Sequence, residues 1–68
     1  MTERLANAIK AKREEALLTQ AALAEMVGVS RKTINTVENG VFTPSATLAI
    51  KLARALKVSV EELFWIED

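Results

Sequence analysis

The sequence predicts an all-α domain of five short helices, and three observations lead to that prediction. Apolar residues recur three and four positions apart along most of the chain, as they do on the buried face of a helix. Serine, threonine and glycine stand where such segments would begin and end. The 68 residues are 50% hydrophobic, which is enough for one small helical core. We therefore expect a single domain over residues 1–68.

The first two helices are predicted from apolar spacing and from helix-capping residues. Leu5 and Ile9 belong to an apolar stripe that predicts helix 1 over about residues 2–16. Thr19 is a suitable N-cap for helix 2, predicted over residues 20–27 with its apolar side chains inward. Gly28 follows, and glycine tolerates the left-handed conformation in which many helices end.

Helix 3 is predicted over about residues 31–39, with Ser30 as its N-cap and Gly40 at its end. Ile34 and Val37 are three residues apart, so they share one face and can pack back on helix 2. The polar residues left on the other faces are Arg31, Lys32, Thr33, Asn35 and Thr36. Two short helices joined by a tight turn, with polar side chains outward on the second, indicate a helix-turn-helix that suits the base edges and phosphates of DNA.

The C-terminal third predicts two more helices and a tail. Pro44 restricts the residue before it to extended conformations, so residues 41–44 are predicted as a loop. Ser45 then starts helix 4, whose apolar face continues to Leu56. Ser59 and Glu62 form the S-x-x-E pattern of a capping box for a short helix 5 that ends near residue 64. No strand pattern is present, except that residues 64–66 could form a short extended tail.

Composition excludes several classes of protein. The chain has no cysteine and no histidine, which removes disulfides, cysteine-zinc sites and the commonest general base. We therefore expect no enzyme activity, no metal and no cofactor, and no site for a small-molecule ligand is evident. No apolar run approaches the ~18 residues of a membrane span, and the first residues lack the layout of a signal peptide. A cytoplasmic protein is the expectation.

Charge gives little support to DNA binding by itself. Nine Lys and Arg residues balance nine Asp and Glu residues, whereas many DNA-binding domains are clearly basic. The acidic C-terminal end could face away from a phosphate backbone while the start of helix 3 faces it. Affinity for DNA should then be moderate and strongly dependent on salt.

The residues between positions 4 and 64 resemble the XRE family of helix-turn-helix proteins, which includes the lambdoid phage Cro and C1 repressors. The segments that carry the resemblance are Leu18-Thr19-Gln20, Leu23-Ala24, Val27-Gly28-Val29-Ser30, Thr33-Ile34, Glu38-Asn39-Gly40, Pro44-Ser45, Leu52-Ala53, Ala55-Leu56 and Val58-Ser59. The resemblance implies a five-helix Cro/C1-type, lambda-repressor-like domain in a short single-domain form. It also implies a dimer that binds double-stranded DNA at a palindromic operator and represses transcription.

Two groups of DNA-contacting residues are predicted. The candidates for base contacts are the outward residues of helix 3, namely Arg31, Lys32, Thr33, Asn35 and Thr36. Two cations in the first turn of a helix oppose the helix dipole, and DNA contact supplies a reason for that cost. The candidates for phosphate contacts are Gln20, Ser30, Asn39 and Ser45, the first because the matching glutamine in the family binds a phosphate. For most of these positions, simple solvent exposure or helix termination is the competing interpretation.

Three further features concern structure rather than base recognition. Arg13 and Glu38 match positions that form a buried ion pair in several members of the family. Leu17 stands where the family commonly has glycine, so helix 1 is expected to end differently there, or the leucine to pack over helix 2. The apolar run in the tail is predicted to form a homodimer interface, with capping of the core as the alternative. Its residues are Phe64, Trp65 and Ile66.

These residues leave three classes of function to compare. The favoured one is a sequence-specific DNA-binding repressor that works as a homodimer. The second is an antitoxin or adaptor that uses the same fold mainly for protein binding, an interpretation that the zero net charge and the apolar tail support. An enzyme has almost no support, because no phosphate-binding glycine loop, metal cluster or nucleophile-base set is present.

Overall fold

The computed structural model describes residues 3–68, and the predicted five helices are all present. The elements in chain order are β1 (Arg4–Asn7), α1 (Ile9–Glu15), α2 (Gln20–Val27), α3 (Arg31–Glu38), α4 (Ala46–Leu56), α5 (Val60–Leu63) and β2 (Phe64–Glu67). Helices α2 and α3 form the predicted helix-turn-helix, and their bounds agree with the sequence prediction to within one residue. The all-α prediction misses a small two-stranded sheet.

The sheet corrects the prediction for helix 1, and its first predicted residue, Thr2, lies outside the described residues. Strand β1 pairs antiparallel with β2, with Leu5 opposite Ile66 and Asn7 opposite Phe64. The Asn7 Oδ1 accepts the N–H of Ile9 at 3.0 Å, so α1 begins only there. The spacing of Leu5 and Ile9 suits a helix equally well, and the partner strand lies about sixty residues away in sequence. Local periodicity therefore could not show the strand.

One hydrophobic core joins the helices and the sheet. The chain contributes to it mainly from the apolar faces predicted for α2, α3 and α4. The buried apolar residues are Ile9, Leu23, Ala24, Val27, Ile34, Val37, Leu48, Leu52, Ala53, Leu56, Leu63 and Phe64. Because this cluster lies behind both helices of the helix-turn-helix, it fixes the orientation of α3 relative to the rest of the molecule.

Four helices begin at side-chain caps, as the sequence predicts. The hydroxyls of Thr19, Ser30, Ser45 and Ser59 each accept a backbone N–H three residues further on. At α5 the capping box is complete, since the Glu62 carboxylate also accepts the Ser59 N–H at 2.9 Å. That hydrogen bond lowers the pKa of the Glu62 carboxyl. These local bonds explain why the starts of helices can be read from the sequence.

Leu17 adopts a left-handed conformation despite being a leucine. Its φ is +59°, and its N–H and that of Leu18 bond back to Glu14 and Arg13 to close the end of α1. The side chain is 92% exposed, so it does not pack over α2. The expectation that leucine would end helix 1 in another way is therefore wrong. The left-handed backbone costs an L-residue about 1–2 kcal/mol, and no buried side chain offsets that cost here.

Replacing this residue by glycine should stabilise the protein. We expect Leu17→Gly to raise the free energy of unfolding by about 0.5–1 kcal/mol, because glycine adopts the conformation without steric cost. The larger backbone entropy of glycine in the unfolded chain reduces the gain. Urea unfolding followed by the fluorescence of the single tryptophan measures the change. A lower midpoint at an unchanged slope would contradict the assignment of strain to Leu17.

Candidate nucleic-acid interface

The turn between α2 and α3 is built from residues with defined backbone roles. Gly28 ends α2 with φ +77°, a conformation that glycine adopts freely. Two residues later the Ser30 hydroxyl accepts the N–H of Thr33 at 3.2 Å and starts α3. Ile34 and Val37 are buried against the core. The packing thus leaves the opposite face of α3 in solvent.

The predicted base-contacting residues all lie on that outward side of α3. Arg31, Lys32 and Asn35 are exposed, while Thr33 and Thr36 are half-buried. Within residues 3–68, neither Arg31 nor Lys32 forms a salt bridge. Two unpaired cations at a helix N-terminus are electrostatically unfavourable in the isolated protein. An anionic partner such as DNA would remove that penalty.

The residues predicted to contact phosphate are distributed around the ends of α2, α3 and α4. Gln20 is the first residue of α2, and Ser30 and Ser45 are N-caps at helix starts, where backbone N–H groups favour anions. Asn39 lies at the other end of α3, where its side chain donates to the carbonyl of Asn35 at 2.9 Å. The three helix-start residues remain candidates for phosphate binding, and Asn39 has a local structural role as well.

An ion pair with mostly buried side chains connects α1 to the end of α3. The Arg13 Nε donates to the Glu38 Oε2 at 2.7 Å, and the Glu38 side chain is only 4% exposed. The hydrogen bond to Glu38 raises the pKa of Arg13 above its ordinary high value, against the opposing effect of burial. The Gln20 amide also donates to the Glu38 Oε1, at 3.1 Å. One carboxylate therefore links α1, the start of α2 and the end of α3.

The tail differs in part from the predicted interface. Phe64 is buried in the core, so the prediction that it forms part of a dimer interface is wrong for this residue. Because side chains alternate along a strand, the same strand presents Trp65 on the opposite face. Trp65 is 42% exposed and Ile66, near the end of the strand, is 59% exposed. These two residues remain available to a partner.

Sequence reasoning missed two features that bear on the site. The Asn7 amide donates to the carbonyl of Val37 at 3.0 Å and so fastens β1 to the end of α3. Val41 and Phe42, assigned only to a loop, are large exposed apolar residues directly after α3. The second feature was visible in the sequence, because loops are marked by clusters of Ser, Thr, Asn, Asp, Gly and Pro, and two adjacent large apolar residues do not belong to that set.

The described part of the chain contains neither a metal-binding cluster nor a membrane-spanning helix. No group of three or more acidic residues there is arranged to hold a metal ion. No helix within residues 3–68 is long and apolar enough to cross a membrane.

Comparison with known proteins gives one family and several similar chains. The helix-turn-helix family HTH_3 matches residues 9–63. An uncharacterised HTH-type transcriptional regulator of Bacillus subtilis, YgzD, is 37% identical over 62 residues, which are 91% of this chain and 94% of that protein. A second such regulator, MJ0272 of Methanocaldococcus jannaschii, is 47% identical over 51 residues, covering 75% of this chain and 77% of its own length.

A solved structure agrees with this result. The crystal structure of the P22 c2 repressor in complex with the synthetic operator 9T is similar to this fold with a TM-score of 0.76 and 36% sequence identity. The similarity covers 78% of this chain and 80% of the repressor chain.

Proposed function

The chain belongs to the HTH_3 family of helix-turn-helix DNA-binding transcription regulators, and on that premise we propose that it is a homodimeric repressor of a palindromic operator. Family and fold are those of transcription regulators and not of enzymes. The observation that carries the proposal is the outward face of α3, where Asn35 and two cations without a salt bridge among residues 3–68 project from a helix that the core holds in place.

The dimensions of α3 suit the major groove. An α-helix with its side chains is about 10–12 Å across, and the major groove of B-DNA is about 12 Å wide. We propose that Arg31 and Lys32 contact guanine edges or phosphates and that Asn35 contacts adenine, the pairings that their donor and acceptor groups favour. Gln20, Ser30 and Ser45 would bind phosphates and set the register of the helix. Glu38 supports this arrangement, since it holds the Gln20 amide in place.

Dimerisation would supply the second half of the recognition surface. Strand β2 pairs with β1 along one edge, and Trp65 and Ile66, which lie on opposite faces of β2, are both exposed. A second copy that covers these residues by two-fold symmetry would place two α3 helices in successive major grooves, about 34 Å apart. Binding across a promoter would then repress transcription by excluding the polymerase or an activator.

The proposal is tested by selecting bound sequences from a pool of random DNA duplexes. A two-fold symmetric site whose affinity falls steeply with rising salt concentration is the expected result. Enrichment of an asymmetric site would contradict the dimer on a palindrome. Weak and uniform binding without enrichment would contradict sequence-specific recognition and favour a protein-binding role for the same fold.

The dimer interface predicts the effect of one substitution. Trp65→Ala should shift the protein from twice the chain mass toward the 7.5 kDa monomer in analytical ultracentrifugation, because a large aromatic anchor is removed. Ile50→Ala, which truncates an exposed apolar residue of α4, is the matched control and should leave the mass unchanged. Circular dichroism checks that both variants keep their helix content. A folded Trp65→Ala protein with an unchanged mass would rule out this interface.

A further inference from the structure

The two threonines of α3 have their hydroxyls already engaged within the protein. The Thr33 Oγ1 lies 3.0 Å from the Ser30 Oγ, and the Thr36 Oγ1 donates to the carbonyl of Thr33 at 3.0 Å. The Thr36 hydroxyl therefore donates within its own helix, and the Thr33 hydroxyl is hydrogen-bonded to that of Ser30, the N-cap of α3. Each hydroxyl keeps acceptor capacity, and the methyl group beside it adds apolar surface. On the outward face of α3, Thr33 and Thr36 thus present apolar surface as well as polar groups.

The loop after α3 adds apolar surface at the same place. The backbone N–H groups of Val41 and Phe42 both bond to the carbonyl of Thr36, at 2.9 and 3.2 Å, so the loop is fastened to the helix. The Val41 side chain is 77% exposed and that of Phe42 is 51% exposed. Together the helix and the loop form a shallow concavity. Its lining residues are Ser30, Lys32, Thr33, Thr36, Val41 and Phe42.

The position of this concavity limits what can occupy it. Three of its lining residues, Lys32, Thr33 and Thr36, are also predicted to contact bases, so the concavity is continuous with the proposed DNA-binding face of α3. A helix docked in the major groove by that face would bring the concavity against base edges. The apolar group that base pairs present in the major groove is the 5-methyl group of thymine. The Lys32 ammonium at the rim would favour the nearby phosphates.

We infer that this concavity, lined by the Val41–Phe42 loop and the methyl groups of Thr33 and Thr36, is an apolar cleft that binds thymine 5-methyl groups in each half-site. This inference rests on the proposed function, because it requires α3 to lie in the major groove. It assigns specificity to a loop outside the recognition helix. It also states a property of the unknown operator: each half-site contains at least one thymine whose methyl group contributes to affinity.

The test uses the duplex recovered from the random pool, with each thymine replaced in turn by deoxyuridine. Deoxyuridine keeps every hydrogen-bonding group of thymine and lacks only the methyl group. Fluorescence anisotropy should show a loss of affinity of about fourfold for each methyl group removed from the cleft. The sensitive thymines should occur at positions related by the two-fold symmetry of the site.

A variant of the loop makes the assignment specific. Val41→Ala truncates an exposed side chain, so the fold should be kept, and it should weaken binding to the thymine duplex while reducing the further loss on deoxyuridine substitution. Such non-additivity is the sign of a direct contact. Ile50→Ala, with a similar truncation of an exposed residue on α4, should keep the full discrimination between thymine and deoxyuridine.

The outcomes separate this inference from the proposed function. If the pool yields no enriched sequence, the proposed function fails and the cleft has no role in DNA reading. A recovered site without thymine would overturn the cleft assignment and leave the proposed function intact. The same holds if every deoxyuridine substitution leaves the affinity unchanged. If both Val41→Ala and Phe42→Ala kept the full discrimination between thymine and deoxyuridine, the inference would be overturned as well, since the sensitive methyl groups would then contact other residues.

Discussion

Arg31→Ala combined with Lys32→Ala is expected to weaken binding to the selected operator by about a hundredfold or more. A bidentate arginine–guanine contact contributes about 1–3 kcal/mol of discrimination, and each lost phosphate contact also lowers affinity. In a homodimer both losses occur twice. The fold should persist, because both side chains are exposed and the helix dipole disfavours cations at this end of α3. Electrophoretic mobility shift at two salt concentrations measures the effect.

A second double variant controls for the change in net charge. Lys10→Ala with Arg54→Ala also removes two exposed cations, on α1 and α4, and should reduce affinity only slightly. Equal losses in the two double variants would mean that binding depends on total charge and not on α3. If the Arg31 and Lys32 variant kept full affinity, α3 would not be the DNA-reading element. The same variant should leave any binding of a protein partner intact, which separates the repressor from an adaptor.

Arg13→Met is expected to lower the free energy of unfolding by about 3–5 kcal/mol, the largest stability effect that the structure predicts for a single charged residue. The reason is that the Glu38 side chain, which is only 4% exposed, would keep its charge with its main partner removed. Single domains are stable by only about 5–15 kcal/mol, so much of the protein could unfold at 37 °C. Urea denaturation followed by tryptophan fluorescence gives the value.

Two comparisons identify the buried charge as the cause. Adding Glu38→Gln to Arg13→Met should recover part of the loss, since the neutral amide can still accept from Gln20 and no unpaired charge stays buried. Arg4→Met removes a cation from an exposed ion pair in which the Arg4 Nη2 lies 3.0 Å from the Glu67 Oε1. This substitution should lower the free energy of unfolding by less than about 1 kcal/mol. A cost for Arg13→Met as small as that for Arg4→Met would contradict a structural role for the ion pair.

The helix-turn-helix could be predicted from the sequence because the interactions that define it are local. Thr19 and Ser30 cap their helices through bonds to residues three positions away, and Gly28 ends α2 by its own conformation. Strand β1 could not be predicted in this way. Its partner strand is at the other end of the chain, and Leu5 has a spacing to Ile9 that suits a helix as well.

The candidate site was predictable in position but not in detail. Outward residues of α3 follow directly from the spacing of Ile34 and Val37. The engagement of the Thr36 hydroxyl and the burial of Phe64 depend on contacts that only the folded chain shows. Phe64 illustrates the difference, because three consecutive apolar residues in the tail look equivalent until the strand places them on alternate faces.

The entry of α3 into the major groove is tested most directly by methylation interference on the selected operator with dimethyl sulfate. This reagent modifies guanine N7 in the major groove and adenine N3 in the minor groove. We expect interference at guanine N7 in two clusters related by two-fold symmetry and centred about one helical turn apart. Interference confined to adenine N3, or a single cluster without a symmetric mate, would contradict a dimer that reads the major groove through α3.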